Sequence, residues 1–242
     1  MINELDSKDF AIVLRNVVSK EICKFVSTQF RMMATCVDLM NDDPEAGREI
    51  GLTESFSIYS PLFTETLSLL IQPQIEEAVG KKLLPTYSYG RIYRKGARLD
   101  PHLDRQSSEY TISLCLENDP SHDDWQLVIK HKNKTLEYVS LAEGDVLIYP
   151  GRDLNHWREG AYDGKEQIQA FIQYVDAEGT SKALKWDGRP AMGMPWDSAN
   201  HLVHENLATQ MDTMKNANGE DGLDDQLPSV LDVLKGMDDE RT

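Results

Sequence analysis

TYSYGRIYR (86–94) leads, with no helical stretch between, into YTISLCLE (110–117), WQLVIKHK (125–132), LEYVSL (136–141), GDVLIYPG (144–151) and QIQAFIQYV (167–175). Each run is rich in Tyr, Ile, Val, Leu and Thr, and Gly, Pro, Asn and Asp separate them. β-branched and aromatic side chains suit a pleated, half-buried surface, and the punctuating residues break it into strands. So many strands without helices between them imply an antiparallel sandwich or barrel, not a βαβ sheet.

Outward from this region the texture changes. AIVLRNVV (11–18) reads as a short strand. Ser19 then offers an N-cap oxygen, and Glu21 complements the helix dipole. Ile22, Phe25, Val26, Phe30, Met33, Val37 and Met40 recur at helical spacing, which predicts an amphipathic helix over 20–40. Residues 41–51 read as loop, and a second helix is expected over 61–79, with Pro61 in its first turn and Gly80 ending it. Beyond about 177 the pattern weakens: KWDGRPAMGMPWD has loop character, 198–216 is a candidate helix, and 217–242 carries eight acidic residues against two basic, as a solvated tail would. The expected organisation is therefore 1–80 as a strand and supporting helices of the same domain, 81–178 as the β core, and 179–242 as a C-terminal extension.

Composition narrows the class. Hydrophobic residues make up 40% and charged residues 27% of the 242, enough for a packed core. No apolar run reaches the roughly 18–20 residues that span a bilayer, so no membrane partner is expected. MINELDSKDF (1–10) lacks the apolar segment of a secretory signal. Three cysteines without CxxC spacing argue against a disulfide framework or zinc–thiolate site and favour a reducing, cytoplasmic setting. A net charge of −16 argues against a nucleic-acid partner, whose phosphates are bound mainly by Lys and Arg. RIYRKGAR (91–98) is the one dense basic cluster.

The chemistry concentrates in two stretches, DPHLDR (100–105) and DLNHWRE (153–159). His102 and Asp104 sit at a strand edge, where residues i and i+2 share a face. His156 follows a Gly-Asp turn and an apolar run. A His-x-Asp triplet is common by chance; its place in an early strand, with a later His near the end of a β-rich half, gives it weight. Two imidazoles and one carboxylate that leave three positions open are the facial triad of non-haem Fe(II) oxygenases.

YSYGRIYRKGARLDPHLDR (87–105), YTISLCLEN (110–118), GDVLIYPGRDLNHWRE (144–159) and IQAFIQYVD (168–176) together resemble 2-oxoglutarate/Fe(II)-dependent dioxygenases. The nearest branch is the small prolyl-4-hydroxylase-like proteins of bacteria and phages. The resemblance covers about 85–176. It implies a mostly β fold with N-terminal helices: a double-stranded β-helix (a cupin-like jelly roll) supported by those helices, with the metal at one open end. It also implies Fe(II), 2-oxoglutarate and O2, with ascorbate as a further candidate, and His102, Asp104 and His156 as metal ligands and catalytic residues. Halogenating relatives lack the carboxylate, so Asp104 favours hydroxylation.

The co-substrate's far carboxylate needs a cation. In the family this lies nine to eleven residues past the second His, which fits Lys165. Arg158 competes, because in an extended strand it shares the face of His156. Aligning the last strand by its end places Gln167 at the customary position and leaves the charge to Arg158. Tyr93 or Arg91, on the strand entering the His-x-Asp loop, could donate a further hydrogen bond. Arg105 and Trp157, each beside a ligand, are placed at the substrate side. A protein or peptide residue, prolyl first, is the leading substrate, with a free amino acid or small metabolite behind it.

Elsewhere, His122 and His131 read as solvent-facing, Cys115 as a small buried hydrophobe, Trp186 and Trp196 as loop packing, and His201 with His204 as an isolated helical pair. Two other functions stay open: a jelly-roll binding module without oxygenase chemistry, and a metal-dependent hydrolase or isomerase on a cupin-like barrel.

Overall fold

The computed structural model describes residues 8–40, 55–119, 121, 125–193. His122, Trp196, His201, His204, the loop at 41–51, the candidate helix at 198–216 and the acidic tail lie wholly or mainly outside the described residues. The chain divides into two compact units, Met1–Gly188 and Arg189–Thr242. All that follows concerns the first.

In chain order the elements are β1 (Ile12–Leu14), α1 (Lys20–Met40), β2 (Ser55–Tyr59), α2 (Leu62–Val79), β3 (Leu83–Arg94), β4 (Leu99–His102), β5 (Tyr110–Glu117), β6 (Leu127–Lys130), β7 (Leu136–Val139), β8 (Val146–Tyr149), β9 (Asn155–Arg158), β10 (Glu166–Asp176) and a 3-10 segment, Lys182–Gly188. The strands form two antiparallel sheets, a six-stranded one ordered β1-β8-β5-β10-β3-β2 and a four-stranded one ordered β4-β9-β6-β7. This is the expected mostly β jelly roll with N-terminal helices. Strand β2, SFSIY, was not anticipated: it is short, and two of its five residues are serine. Among the described residues no helix is long and apolar enough to cross a membrane.

Strand alternation gives the large sheet two working faces. Ile92 of β3, Ile112, Leu114 and Leu116 of β5, Val146 and Ile148 of β8, and Ile168, Ala170 and Ile172 of β10 share one core cluster with Val26 and Phe30 of α1 and Leu67, Ile71 and Ile75 of α2. Fully burying one such side chain contributes about 1.5–3 kcal/mol. Gly90 is what lets α1 approach so closely, since a Cβ there would stand 1.9 Å from Phe30 Cε1. Phe25 departs from its expected place on the buried stripe and is 64% exposed, because the stripe that meets the sheet runs through Cys23, Val26, Phe30 and Ala34. The opposite face meets the small sheet, where Cys115, Leu147 and Tyr149 pack against Leu99, Leu127 and Ile129.

His131 corrects a second expectation. It is not solvent-facing but held between two carboxylates, with Nδ1 2.7 Å from Asp9 Oδ1 and Nε2 2.9 Å from Glu137 Oε2. Burial opposes its charging, yet Glu137 and Asp9 outweigh it and raise its pKa. A raised folded-state pKa stabilises the fold fully below the unfolded value of about 6.5, and that contribution is lost as pH climbs through the folded value. The melting-temperature gap between wild type and His131→Gln should be widest below about pH 6 and close above about pH 8. A gap independent of pH would refute the charge pairing.

Candidate active site

Strand β4 pairs with β9 so that His102 and His156 are direct register partners. Their rings stand side by side, centroids 4.2 Å apart. His102 Nδ1 lies 2.8 Å from the Asp100 carbonyl oxygen, and His156 Nδ1 lies 3.0 Å from that of Leu154. A carbonyl only accepts, so each Nδ1 donates, and in the neutral ring this leaves the lone pair on Nε2. Asp104 Oδ1 stands 3.8 Å from His102 Nε2 and 3.6 Å from His156 Nε2. One ligand atom from each of the three residues lies within 4.8 Å of the others. Three ligands about 2.1 Å from one ion require separations of this order. Among the described residues no other trio of His, Cys, Asp or Glu comes together in this way.

The electrostatics favour the ligating forms. Burial lowers the His102 pKa, and neighbouring His156 lowers it further. Burial alone would raise Asp104, but His156, Thr111 and His102 together hold it below its ordinary value. A neutral imidazole and an ionised carboxylate are what a divalent cation binds.

Asp104 lies past the end of β4, so its placement depends on the turn between β8 and β9. Its backbone N–H donates to the Gly151 carbonyl at 2.9 Å, and Arg152 N–H donates to the Ser108 carbonyl at 3.2 Å. A Cβ on Gly151 would stand 2.2 Å from Asp104 Oδ2 and 2.2 Å from Thr111 Oγ1. Arg152, half-buried, clamps the same loop, donating to Glu109 Oε1 at 2.9 Å, the Gln106 carbonyl at 3.0 Å and Ser181 Oγ at 2.7 Å.

The triad opens on a cavity of about 390 Å³ whose walls include Tyr87, Tyr89, Arg91 and Tyr93 of β3, Tyr59 of β2, and Phe171 and Gln173 of β10. The four β3 residues alternate, so one sheet face supplies them all. Arg91 and Tyr93, inseparable by pattern, are thus both in the wall. Arg91 is buried, donates to Ser57 Oγ and Tyr93 OH at 3.3 Å each, and lies by the Tyr89 and Tyr93 rings.

The remaining candidates separate by strand face. Arg158 is buried on the His156 face of β9, donates to the Trp125 carbonyl and lies 5.2 Å from the Trp125 ring centre. Trp157 takes the other face of β9 and is absent from the cavity wall, so alternation removes it from the expected substrate side. Lys165 is exposed on the turn before β10, where its backbone N–H donates to Asp119 Oδ2, and its side chain does not line the cavity. Gln167 is buried and bonds Asn118. Arg105 lines the cavity rim, its guanidinium 4.1 Å from the Tyr87 ring centre and 2.9 Å from Asp187 Oδ2, which also accepts from Tyr59 OH at 2.7 Å. Thr111, Gly151, Gln173 and the tyrosines at 59 and 87 were not foreseen. Gly151 had a local signal in the Pro-Gly turn closing GDVLIYPG, and Tyr87 one in the two-residue period it shares with Arg91 and Tyr93.

No protein-family model matches the sequence, and no curated protein does. Solved structures match in fold. A prolyl-4-hydroxylase from Pseudomonas putida superposes with a TM-score of 0.54 at 13% identity, over 72% of this chain and 96% of that one. HygX from Streptomyces hygroscopicus, solved with nickel and 2-oxoglutarate bound, gives 0.53 at 14%, over 74% and 87%. SnoN, a non-haem α-ketoglutarate-dependent epimerase from nogalamycin biosynthesis, gives 0.56 at 13%, over 80% and 90%. At such identities the likeness is one of fold: the chain has the double-stranded β-helix of these proteins.

Proposed function

We propose that the protein is an Fe(II)- and 2-oxoglutarate-dependent dioxygenase that hydroxylates a C–H bond, with a residue of a protein or peptide, prolyl first, as substrate. The observation that carries this reading is the His102–Asp104–His156 cluster, with both Nδ1 atoms held by backbone carbonyls and both Nε2 atoms facing Asp104 Oδ1, at the mouth of an aromatic cavity. Bound there, iron with 2-oxoglutarate supplies oxidative decarboxylation: one oxygen atom of O2 enters succinate as CO2 leaves, and the other enters the substrate C–H bond.

In this reading a carboxylate is held by Arg91, which lines the cavity, with Arg158 and Gln169, which are buried and do not line it. Gln169 of β10 lies between Arg91 of β3 and Cys115 of β5 in the sheet register. Arg158, from the facing sheet, is close enough to Cys115 to lower a thiol pKa that burial raises to about 12. Gln169 Nε2 is buried without a conventional hydrogen-bond partner among the described residues, its amide interacting with the Cys115 sulfur, a weak acceptor. A carboxylate accepting its proton would be the stronger partner. In this reading Arg158 and Arg91 neutralise the co-substrate's far carboxylate and Gln169 completes its hydrogen bonds. His102, Asp104 and His156 fix the ion, Phe171 and the tyrosines exclude water, and the Arg105 rim meets the substrate.

The structural neighbours support the class: one is named a prolyl-4-hydroxylase, and another holds nickel and 2-oxoglutarate. The second reading, a small-molecule substrate, draws on HygX solved with hygromycin B bound. The test is succinate release from 2-oxoglutarate and Fe(II) against proline-containing peptides and free amino acids. Arg158→Met should weaken 2-oxoglutarate binding about tenfold or more, as loss of a charge-assisted hydrogen bond does. Metal-independent ligand binding without turnover would favour a binding module, and zinc uptake without 2-oxoglutarate affinity a hydrolase or isomerase.

A further inference from the structure

The two oxygens of Asp104 have different surroundings. Oδ1 faces both histidine Nε2 atoms, while Oδ2 turns away to Thr111 Oγ1 at 2.8 Å. Thr111 Oγ1 also stands 2.8 Å from the amide of Gln173, at the atom assigned as Oε1. One hydroxyl has one proton, and an ionised carboxylate can only accept. The Thr111 proton therefore goes to Asp104, and the Gln173 amide must present its NH2 group to Thr111, an exchange of N and O that leaves its shape unchanged. Thr111 and Gln173 are almost wholly buried, and Gly151, which admits no Cβ, lies against the Thr111–Asp104 bond.

We propose that Thr111, oriented by Gln173, is a positioning residue that holds Asp104 to one-oxygen coordination of the metal. This rests on the iron and 2-oxoglutarate reading of the site. Its consequence is a count of positions. Three protein ligands on a six-coordinate ion leave three places, two for a chelating co-substrate and one for O2. A carboxylate that swung Oδ2 onto the ion would occupy the last of these. Swinging requires breaking a part-buried, charge-assisted hydrogen bond, which the relay from Gln173 keeps in place.

The test loads the full chain with Mn(II) and measures metal affinity and the waters on the ion, by line broadening of the Mn(II) resonance in 17O-water, with and without 2-oxoglutarate. Thr111→Val should hold fewer waters than wild type and bind metal about 10–100-fold differently, in keeping with the loss of an outer-shell partner. Thr111→Ser, which keeps the hydroxyl, should restore both values. Equal water counts and affinities in Thr111→Val and wild type would overturn the proposal. Should Thr111→Val not fold, Gln173→Leu decides by metal affinity: a change supports the relay, and none overturns it. Wild-type protein that takes up no Mn(II), or from whose Mn(II) 2-oxoglutarate displaces no water, would instead defeat the reading of the site as a whole.

Discussion

Gly151→Ala is expected to abolish metal uptake nearly as completely as Asp104→Ala, although residue 151 offers no ligand atom. The added methyl would stand 2.2 Å from Asp104 Oδ2 and from Thr111 Oγ1, where no real Cβ fits. Neither neighbour can step aside cheaply. Thr111 is buried within β5, and Asp104 is tethered by its backbone N–H to the Gly151 carbonyl. The carboxylate must therefore leave its place opposite the two imidazoles. Altering an outer-shell partner costs about 10–100-fold in metal affinity, and displacing the ligand itself should cost at least the upper end of that range. Titration with Co(II) or Mn(II), alongside circular dichroism to confirm the fold, provides the measurement. Metal affinity within a factor of about three of wild type would show that the turn relaxes without moving Asp104.

The second large effect concerns the clamp behind the same loop. Glu109 is buried and the Arg152 side chain is only 9% exposed; they pair at 2.9 Å, and Glu109 Oε2 also accepts from the Asp176 backbone N–H at 3.2 Å. Removing Glu109 leaves Arg152 only the longer carboxylate contact, to Asp153 Oδ2 at 3.6 Å, at a cost approaching the roughly 3–5 kcal/mol of a broken buried pair. In a unit of this size that corresponds to a fall in melting temperature of about 6–20 °C for Glu109→Ala. The double variant Glu109→Leu/Arg152→Met should be less destabilised than either single removal, because it leaves no orphaned charge. Additive losses in that cycle would mean that the pair is not coupled as its geometry implies. Loosening the clamp should weaken metal binding too, since Arg152 ties the Gly151 turn to the loop carrying Asp104.

The corrections share a cause. Helical spacing put Phe25 on the buried stripe, but a stripe's centre shifts with the angle at which the helix meets the sheet, and Val26 and Phe30 take that place. Spacing after His156 offered Lys165 beside Arg158, and the Asp163-Gly164 turn that already spoke against it leaves it exposed. Trp157 next to a ligand looked close to the chemistry, and the two-residue period of β9 sends it to the other face. His131 between two lysines read as solvated, because Asp9 and Glu137 reach it from elsewhere in the fold.

What the sequence determined by itself was whatever depends on local period and residue chemistry. Alternation marked the strands, put His156 with Arg158 on one face and Arg91 with Tyr93 on another, and the ligand types His102, Asp104 and His156 named a divalent cation site. The tertiary structure alone decided how the carboxylate is aimed and which cations face inward. Thr111 and Gly151 reach Asp104, and Gln173 reaches Thr111, from three separate segments, and no local pattern records such a meeting. Hydrogen bonds and steric fit act over about 3–4 Å of space whatever the distance along the chain, so only the folded chain brings those residues together.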